Sequence, residues 1–129
     1  VVKTLTLTEE EARKVADSLN YRHLNGTAIA VVQDYRTKEV LMVASVNRES
    51  VTKTLTTGYA HFWSLSRSQL WLKGETSGNY QLLMDFLVDC DGDAILFMVE
   101  PKGPACHTMS RSCFYRRRED LLNPGSSKH

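Results

Sequence analysis

The sequence predicts an α+β domain, a mostly antiparallel twisted sheet or open-barrel roll carrying two short helices. Three observations predict it. Helical periodicity is confined to two stretches in the first half of the chain; short β-branched or aromatic runs separated by Gly, Ser and Pro clusters fill the rest; and no βαβ alternation asks for a parallel sheet. At 129 residues the chain supports one core and leaves no room for a second. The domain is placed at 1–118, with 119–129 as a C-terminal tail in which "NPGSSKH" reads as a frayed end.

Each element has a local reason. Thr8 followed by Glu11 forms a capping box, and Ala12, Val15, Ala16 and Leu19 recur at helical spacing, so a helix runs over roughly 9–20. "AIAVVQ" and "EVLMVA" flank the polar "DYRTK" and read as a β-hairpin. Asn47 caps a second helix through about Thr57, with Val51 and Leu55 inward and Gly58 at its end. "YAHFWS", "QLWL", "YQLLMDFLVDC", "AILFMVE" and "CFYRR" then read as strands.

Bulk composition removes several functions. The chain is 42% hydrophobic and 24% charged with a net charge of +1, so no broad field draws nucleic acid or an anionic membrane. No apolar stretch approaches the roughly 18 residues of a membrane-spanning helix, and no signal-peptide pattern opens the chain. A cytoplasmic protein is the expectation, with neither membrane nor nucleic acid as partner. Its partner must be recognised by local sites.

The densest local chemistry is "DCDGD", residues 89–93, between the apolar runs "LLMDFLV" and "AILFMV". If this stretch is extended, Asp89, Asp91 and Asp93 point one way and Cys90 the other. Crowded carboxylates repel unless a cation offsets them, and hard oxygen ligands suit Mg²⁺ or Ca²⁺. A thiolate on the other face suits Zn²⁺. Three plainer readings compete. "Asp-Gly" is a strong hairpin-turn signal in its own right. The alternating aspartates also resemble the start of an EF-hand loop, but Ala94 stands where that loop needs Gly and a strand-like run follows. Cys90, taken singly, is a small buried hydrophobe by type.

Cys90, Cys106 and Cys113 all lie within 24 residues, and an odd count fits a disulfide scaffold poorly. "GPACHTMSRSCFY" puts two of them in a Gly-, Pro- and Ser-rich loop, an unusual place for purely structural thiols. The spacing, C-x15-C-x6-C, contains no CxxC knuckle. Three ligands with a fourth position open is nevertheless the pattern of catalytic zinc, which lowers the pKa of bound water to about 7.

"VDCDGDAILFMVEPKGPACHTMSRSCFYR", with "SRSQLWLKGETSGNYQ" and "VVQDYRTKEVLMVASVN" before it, closely resembles the phosphoribosyl-AMP cyclohydrolases, the purine-ring-opening enzymes of histidine biosynthesis. The resemblance covers roughly 24–118. It implies zinc on Cys90, Cys106 and Cys113 and magnesium on Asp89, Asp91 and Asp93. It also implies an intertwined homodimer whose zinc ligands come from both subunits, and phosphoribosyl-AMP as substrate. Relatives with a fused pyrophosphohydrolase make their own substrate; here the chain stops soon after "SCFYR", so a separate protein is expected to supply it. One departure stands out. The family commonly has Gly after "CHT", where this chain has Met109, and Met does not easily take the positive φ that Gly permits. The loop's shape is in question there; its ligands are not.

Opening phosphoribosyl-AMP between N1 and C6 requires water to attack C6, for which a zinc-activated water is suited. His107, beside Cys106, is a candidate to shuttle a proton, or else a histidine that merely orders the loop. The two substrate phosphates need anion sites. Arg67 and Ser68 of "SRSQLW", Lys73, Thr76 and Ser77 of "KGETSGN", and Arg111 in the cysteine loop supply suitable donors, although neither stretch is a P-loop. His61, Trp63 and Trp71 line a base pocket or simply pack. Arg116, Arg117 and Arg118 read as a solvated strand end, and His23 and His129 carry no signal. A non-catalytic zinc-thiolate module would want a fourth ligand and a basic surface, and a zinc deaminase would want H-x-E and P-C-x-x-C; all are missing.

Overall fold

A computed structural model describes residues 3–123. The chain runs α1 (Glu9–Ser18), β1 (Ala28–Asp34), β2 (Val40–Val46), α2 (Arg48–Thr57), β3 (His61–Ser64), β4 (Gln69–Leu72), β5 (Gln81–Val88), β6 (Ala94–Pro101) and α3 (Arg118–Leu122). Both expected caps are made. Thr8 Oγ1 accepts from Glu11 N at 3.1 Å while Glu11 Oε1 accepts from Thr8 N at 3.0 Å. At α2, Asn47 Oδ1 accepts from Ser50 N at 2.9 Å and Ser50 Oγ accepts from Asn47 N at 2.8 Å. Gly58 closes α2 at φ 79°, and a Cβ there would stand 2.6 Å from Thr4 Oγ1, so only glycine fits.

Four strands form one sheet in the order β2-β1-β6-β5, and β3 pairs with β4 in a separate hairpin. The expected α+β class holds, with three corrections to its details. The sheet is mixed: β1 and β6 pair in parallel at its centre, while β1–β2, β5–β6 and β3–β4 are antiparallel. "CFYRR" is no strand, because it meets the edge strand β2 through a single backbone bond from Cys113 N to Leu41 O, 2.7 Å, and then leaves. A third short helix follows at 118–122, so the helices number three among the described residues. Arg118 opens that helix, and the expected frayed end lies, apart from Asn123, outside the described residues.

Alternation along β1 decides what each face of the sheet does. Ala28, Ala30 and Val32 are fully buried and join Ile95, Phe97 and Val99 of β6, Leu83 of β5, and Ala12, Ala16, Val51 and Leu55 of the helices in one core. The opposite face carries an apolar row that crosses all four strands in register: Val43, Val31, Leu96 and Leu87. Val43 and Leu87 are 46% and 58% exposed. This face has no covering element among the described residues, which is unusual for an apolar row spanning a whole sheet.

Candidate active site

The β5–β6 connection bends "DCDGD" into a turn. Asp89 N donates to Ala94 O at 3.0 Å, Gly92 N to Asp89 O at 3.3 Å, and Gly92 sits at φ 77°. The stretch is therefore not extended as alternation suggested. The turn itself gathers the aspartates, whose ligand oxygens lie within 4.8 Å of one another. Among the described residues no other trio of His, Cys, Asp or Glu converges in this way. Proximity splits their acidities. A hydrogen bond with Asp93, then burial and the charge of Asp89, pushes Asp91 above the usual carboxylate range. The same bond from Asp91 holds Asp93 well below it despite burial, with help from Arg22, Asp89 and His23. This donor set, all hard oxygen and mutually repulsive, fits a Mg²⁺-like ion. The EF-hand alternative fails because β6 begins at Ala94.

The three cysteines are not brought together within one chain. Cys106 and Cys113 are near enough for each thiol to shift the other's ionisation, whereas Cys90 is exposed on the carboxylate turn and forms no cluster with them. The Thr108 hydroxyl, 3.0 Å from Cys106 Sγ, leads in holding that thiol below its ordinary pKa, joined by the Thr108 amide. Partial burial and the neighbouring Cys106 push Cys113 up. Such a thiol pair, one member primed toward thiolate, fits zinc as two of its ligands. His107 stands exposed beside Cys106.

The loop that presents Cys106 keeps a glycine-like backbone without the glycine. Met109 N donates to Cys106 O at 2.9 Å, Cys106 N to Ser110 O at 3.2 Å, and Met109 closes the turn at φ 73°. This is the left-handed closing position that favours Gly in a short hairpin loop. Met109→Gly should raise stability by about 0.5–1 kcal/mol, because about 1–2 kcal/mol of left-handed strain is relieved against about 0.5–1 kcal/mol of added backbone entropy. The Met109 side chain is 67% exposed and loses little packing. A higher urea midpoint at constant m-value checks this; a lower midpoint would mean that the side chain's contacts outweigh the strain.

A cleft of about 780 Å³ opens between β3–β4 and the "KGETSGN" loop, lined by Arg67, Lys73, Thr76 and Ser77 together with Trp63 and Trp71. Four of the six expected phosphate-site residues thus share one wall. Ser68, at φ 50° in the β3–β4 turn, is not among the lining residues, and neither is Arg111. Lys73 also reaches the cysteine loop, its Nζ donating to Ala105 O at 2.6 Å. Arg111 serves that loop differently: its guanidinium pairs with Asp34 Oδ2 and, at 2.5 Å, with Glu39 Oε1. Burial would raise Asp34, but the amides of Arg36 and Thr37 and then Arg111 outweigh it and hold this carboxyl low. His61 is a core histidine. Its Nδ1 lies 2.7 Å from Tyr59 O, and burial pushes its pKa down.

Two neighbours of the carboxylates escaped the sequence. Arg22 and His23 both reach Asp93, some seventy positions away, and no local pattern marks either residue. The described helices include none long and apolar enough to cross a membrane.

A family model described as phosphoribosyl-AMP cyclohydrolase matches residues 42–115. The chain is similar to the phosphoribosyl-AMP cyclohydrolase of Sulfurisphaera tokodaii, 63% identical over 118 residues, which are 92% of this chain and 100% of that one. It is 58% identical over 107 residues to the protein of the same name from Pyrobaculum calidifontis, 83% of this chain and 84% of that one. With the Methanothermobacter thermautotrophicus protein, also of that name, it shares 61% identity over 101 residues, 76% and 73% of the two chains.

Proposed function

The chain belongs to the phosphoribosyl-AMP cyclohydrolase family, and from that premise we propose that it hydrolyses the N1–C6 bond of 1-(5-phosphoribosyl)-AMP in histidine biosynthesis, with zinc and magnesium as cofactors. It is a hydrolase. The oxygen of water becomes the carboxamide oxygen at C6, and N1 departs with a proton to complete the formimino group. A cytoplasmic setting keeps the three free thiols reduced and available as ligands.

Zinc held by Cys90, Cys106 and Cys113 would supply a water activated near neutral pH. The protein's own residues do the rest. Arg67, Lys73, Thr76 and Ser77 bind phosphate along the cleft that they line together. Trp63 and Trp71 offer apolar surface to the purine from the same wall. His107, exposed next to Cys106, hands the proton to N1 as the ring opens. Arg111, ion-paired with Asp34 and Glu39, is better suited to fixing the cysteine loop than to meeting a phosphate. Asp89, Asp91 and Asp93 hold magnesium.

The separation of the thiols carries the reading of the assembly. Cys106 and Cys113 pair while Cys90 stands exposed and apart. A site using all three takes Cys90 from a second copy. The uncovered row Val43, Val31, Leu96 and Leu87, which ends on the strand leading to Cys90, supports the same homodimer. Cys90→Ser and Cys106→Ser, each inactive alone, should recover about a quarter of parental turnover when refolded together, since half the dimers are mixed and one site in each is intact. Turnover is followed by the loss of phosphoribosyl-AMP absorbance. No recovery in a mixture shown to contain mixed dimers would rule out a shared site.

A further inference from the structure

The carboxylate turn already holds a cation of the protein's own. Arg22 Nε lies 2.9 Å from Asp93 Oδ2, and its Nη2 lies 2.7 Å from Asp93 Oδ2 and 2.7 Å from Asp91 Oδ2. His23 Nε2 reaches the same Asp93 oxygen at 3.0 Å. The segment bearing these side chains is anchored separately, through Asn20 N to Gly92 O at 2.7 Å. Gly92 supplies the left-handed backbone of the turn at φ 77°, and a Cβ there would meet Asn20 N and Ser18 O at an ordinary contact distance of 3.4 Å.

We propose that Arg22 is the resident counter-ion of the carboxylate turn, keeping Asp91 and Asp93 converged until a divalent ion displaces its guanidinium, and thereby setting the affinity of the metal site. The inference rests on the magnesium reading of Asp89, Asp91 and Asp93. Its physical basis is competition for named atoms. Three carboxylates within 4.8 Å repel and would splay without a cation. A guanidinium fork spans two of them, but it uses Asp93 Oδ2 and Asp91 Oδ2, oxygens that a hard divalent ion also requires. The Arg22 side chain is 53% exposed, so water receives the group when it leaves. The Asn20–Gly92 bond does not involve that side chain and keeps the turn folded during the exchange. The site is thus shaped in advance, at a cost in affinity.

The test uses the full chain as purified, with Mn²⁺ as probe in electron paramagnetic resonance titrations and Mg²⁺ in calorimetry. Arg22→Gln should bind Mn²⁺ about five- to tenfold more tightly than the parent at low ionic strength, the equivalent of one or two exposed ion pairs, and the gap should narrow as salt screens them. Arg22→Lys, which keeps the charge and loses the fork, should fall between the two. In the parent itself the Arg22 Nε–Hε resonance should move toward its solvent-exposed position as Mg²⁺ is added, a readout independent of any variant. If the parent binds Mn²⁺ and Arg22→Gln binds it no more tightly, or the Arg22 resonance stays in place at saturating Mg²⁺, the exchange is wrong while the magnesium site stands. If neither protein binds Mn²⁺, the carboxylate reading fails and the inference fails with it.

Discussion

Cys106→Ser is expected to lose zinc binding and turnover together, by more than the roughly 10–100-fold that removal of an outer-shell partner costs. The thiol of Cys106 is buried, adjoins Cys113, and is drawn toward thiolate by Thr108, so its replacement removes the best-prepared donor of the set. Serine keeps the size and a hydrogen bond for Thr108, which separates loss of ligation from loss of the loop. Zinc content by atomic absorption, turnover, and the thermal midpoint are measured on one preparation. Cys90→Ser sharpens the case, because an exposed cysteine contributes within about 0.5 kcal/mol to the chain's own stability. Its zinc loss therefore cannot be attributed to unfolding. A full zinc equivalent with near-parental turnover in any one of Cys90→Ser, Cys106→Ser or Cys113→Ser would remove that residue from the ligand set.

Asp91→Asn should raise the Mg²⁺ concentration for half-maximal turnover by about tenfold and leave zinc content unchanged. Asp91, like Asp89, is exposed while Asp93 is buried, so the substitution takes a charge and an oxygen donor from the turn without opening the core. Cys90, although adjacent in sequence, is not part of the oxygen cluster within 4.8 Å. Zinc and magnesium should therefore respond separately. Excess Mg²⁺ should restore part of the lost rate. Unchanged turnover, with the parent's response to EDTA and Mg²⁺, would reduce the aspartates to turn residues. Loss of zinc along with magnesium would instead mean that all four side chains of "DCDGD" serve one metal cluster.

Much of the molecule was legible without coordinates because its signals are local. The Thr8–Glu11 box, the Asn47 cap and the Gly58 stop each act within one helical turn, so they appear as short patterns and form as read. The hairpin around "DYRTK" and the turn at Asp91–Gly92 are likewise written in adjacent residues. "CFYRR" shows the limit of that reasoning. Its residues suit a strand, but a strand needs a neighbour along its length, and this one finds a single bond to Leu41. Met109 shows another limit. The sequence marks a left-handed position occupied by the wrong residue type, yet only the folded loop, bonded on both sides, shows that the backbone keeps φ 73° and strains the methionine.

The sequence by itself determined the α+β class, the places of the helices and most strands, and the chemistry available: three thiols, three alternating carboxylates, and two loops of cations and hydroxyls. Tertiary structure alone decided how that chemistry is grouped. Pairing β1 with β6 in parallel joins residues more than sixty positions apart, and hydrophobic alternation states which face of a strand is buried without naming its neighbour. That pairing sets the carboxylate turn beside the segment after α1, bringing Arg22 and His23 onto Asp93. It also leaves Cys90 outside any cluster with Cys106 and Cys113, and one apolar face of the sheet uncovered among the described residues. Caps, turns and periodicities depend on energies exchanged within a few residues. Ion pairs and thiol groupings depend on distances that exist only after the strands have chosen their order.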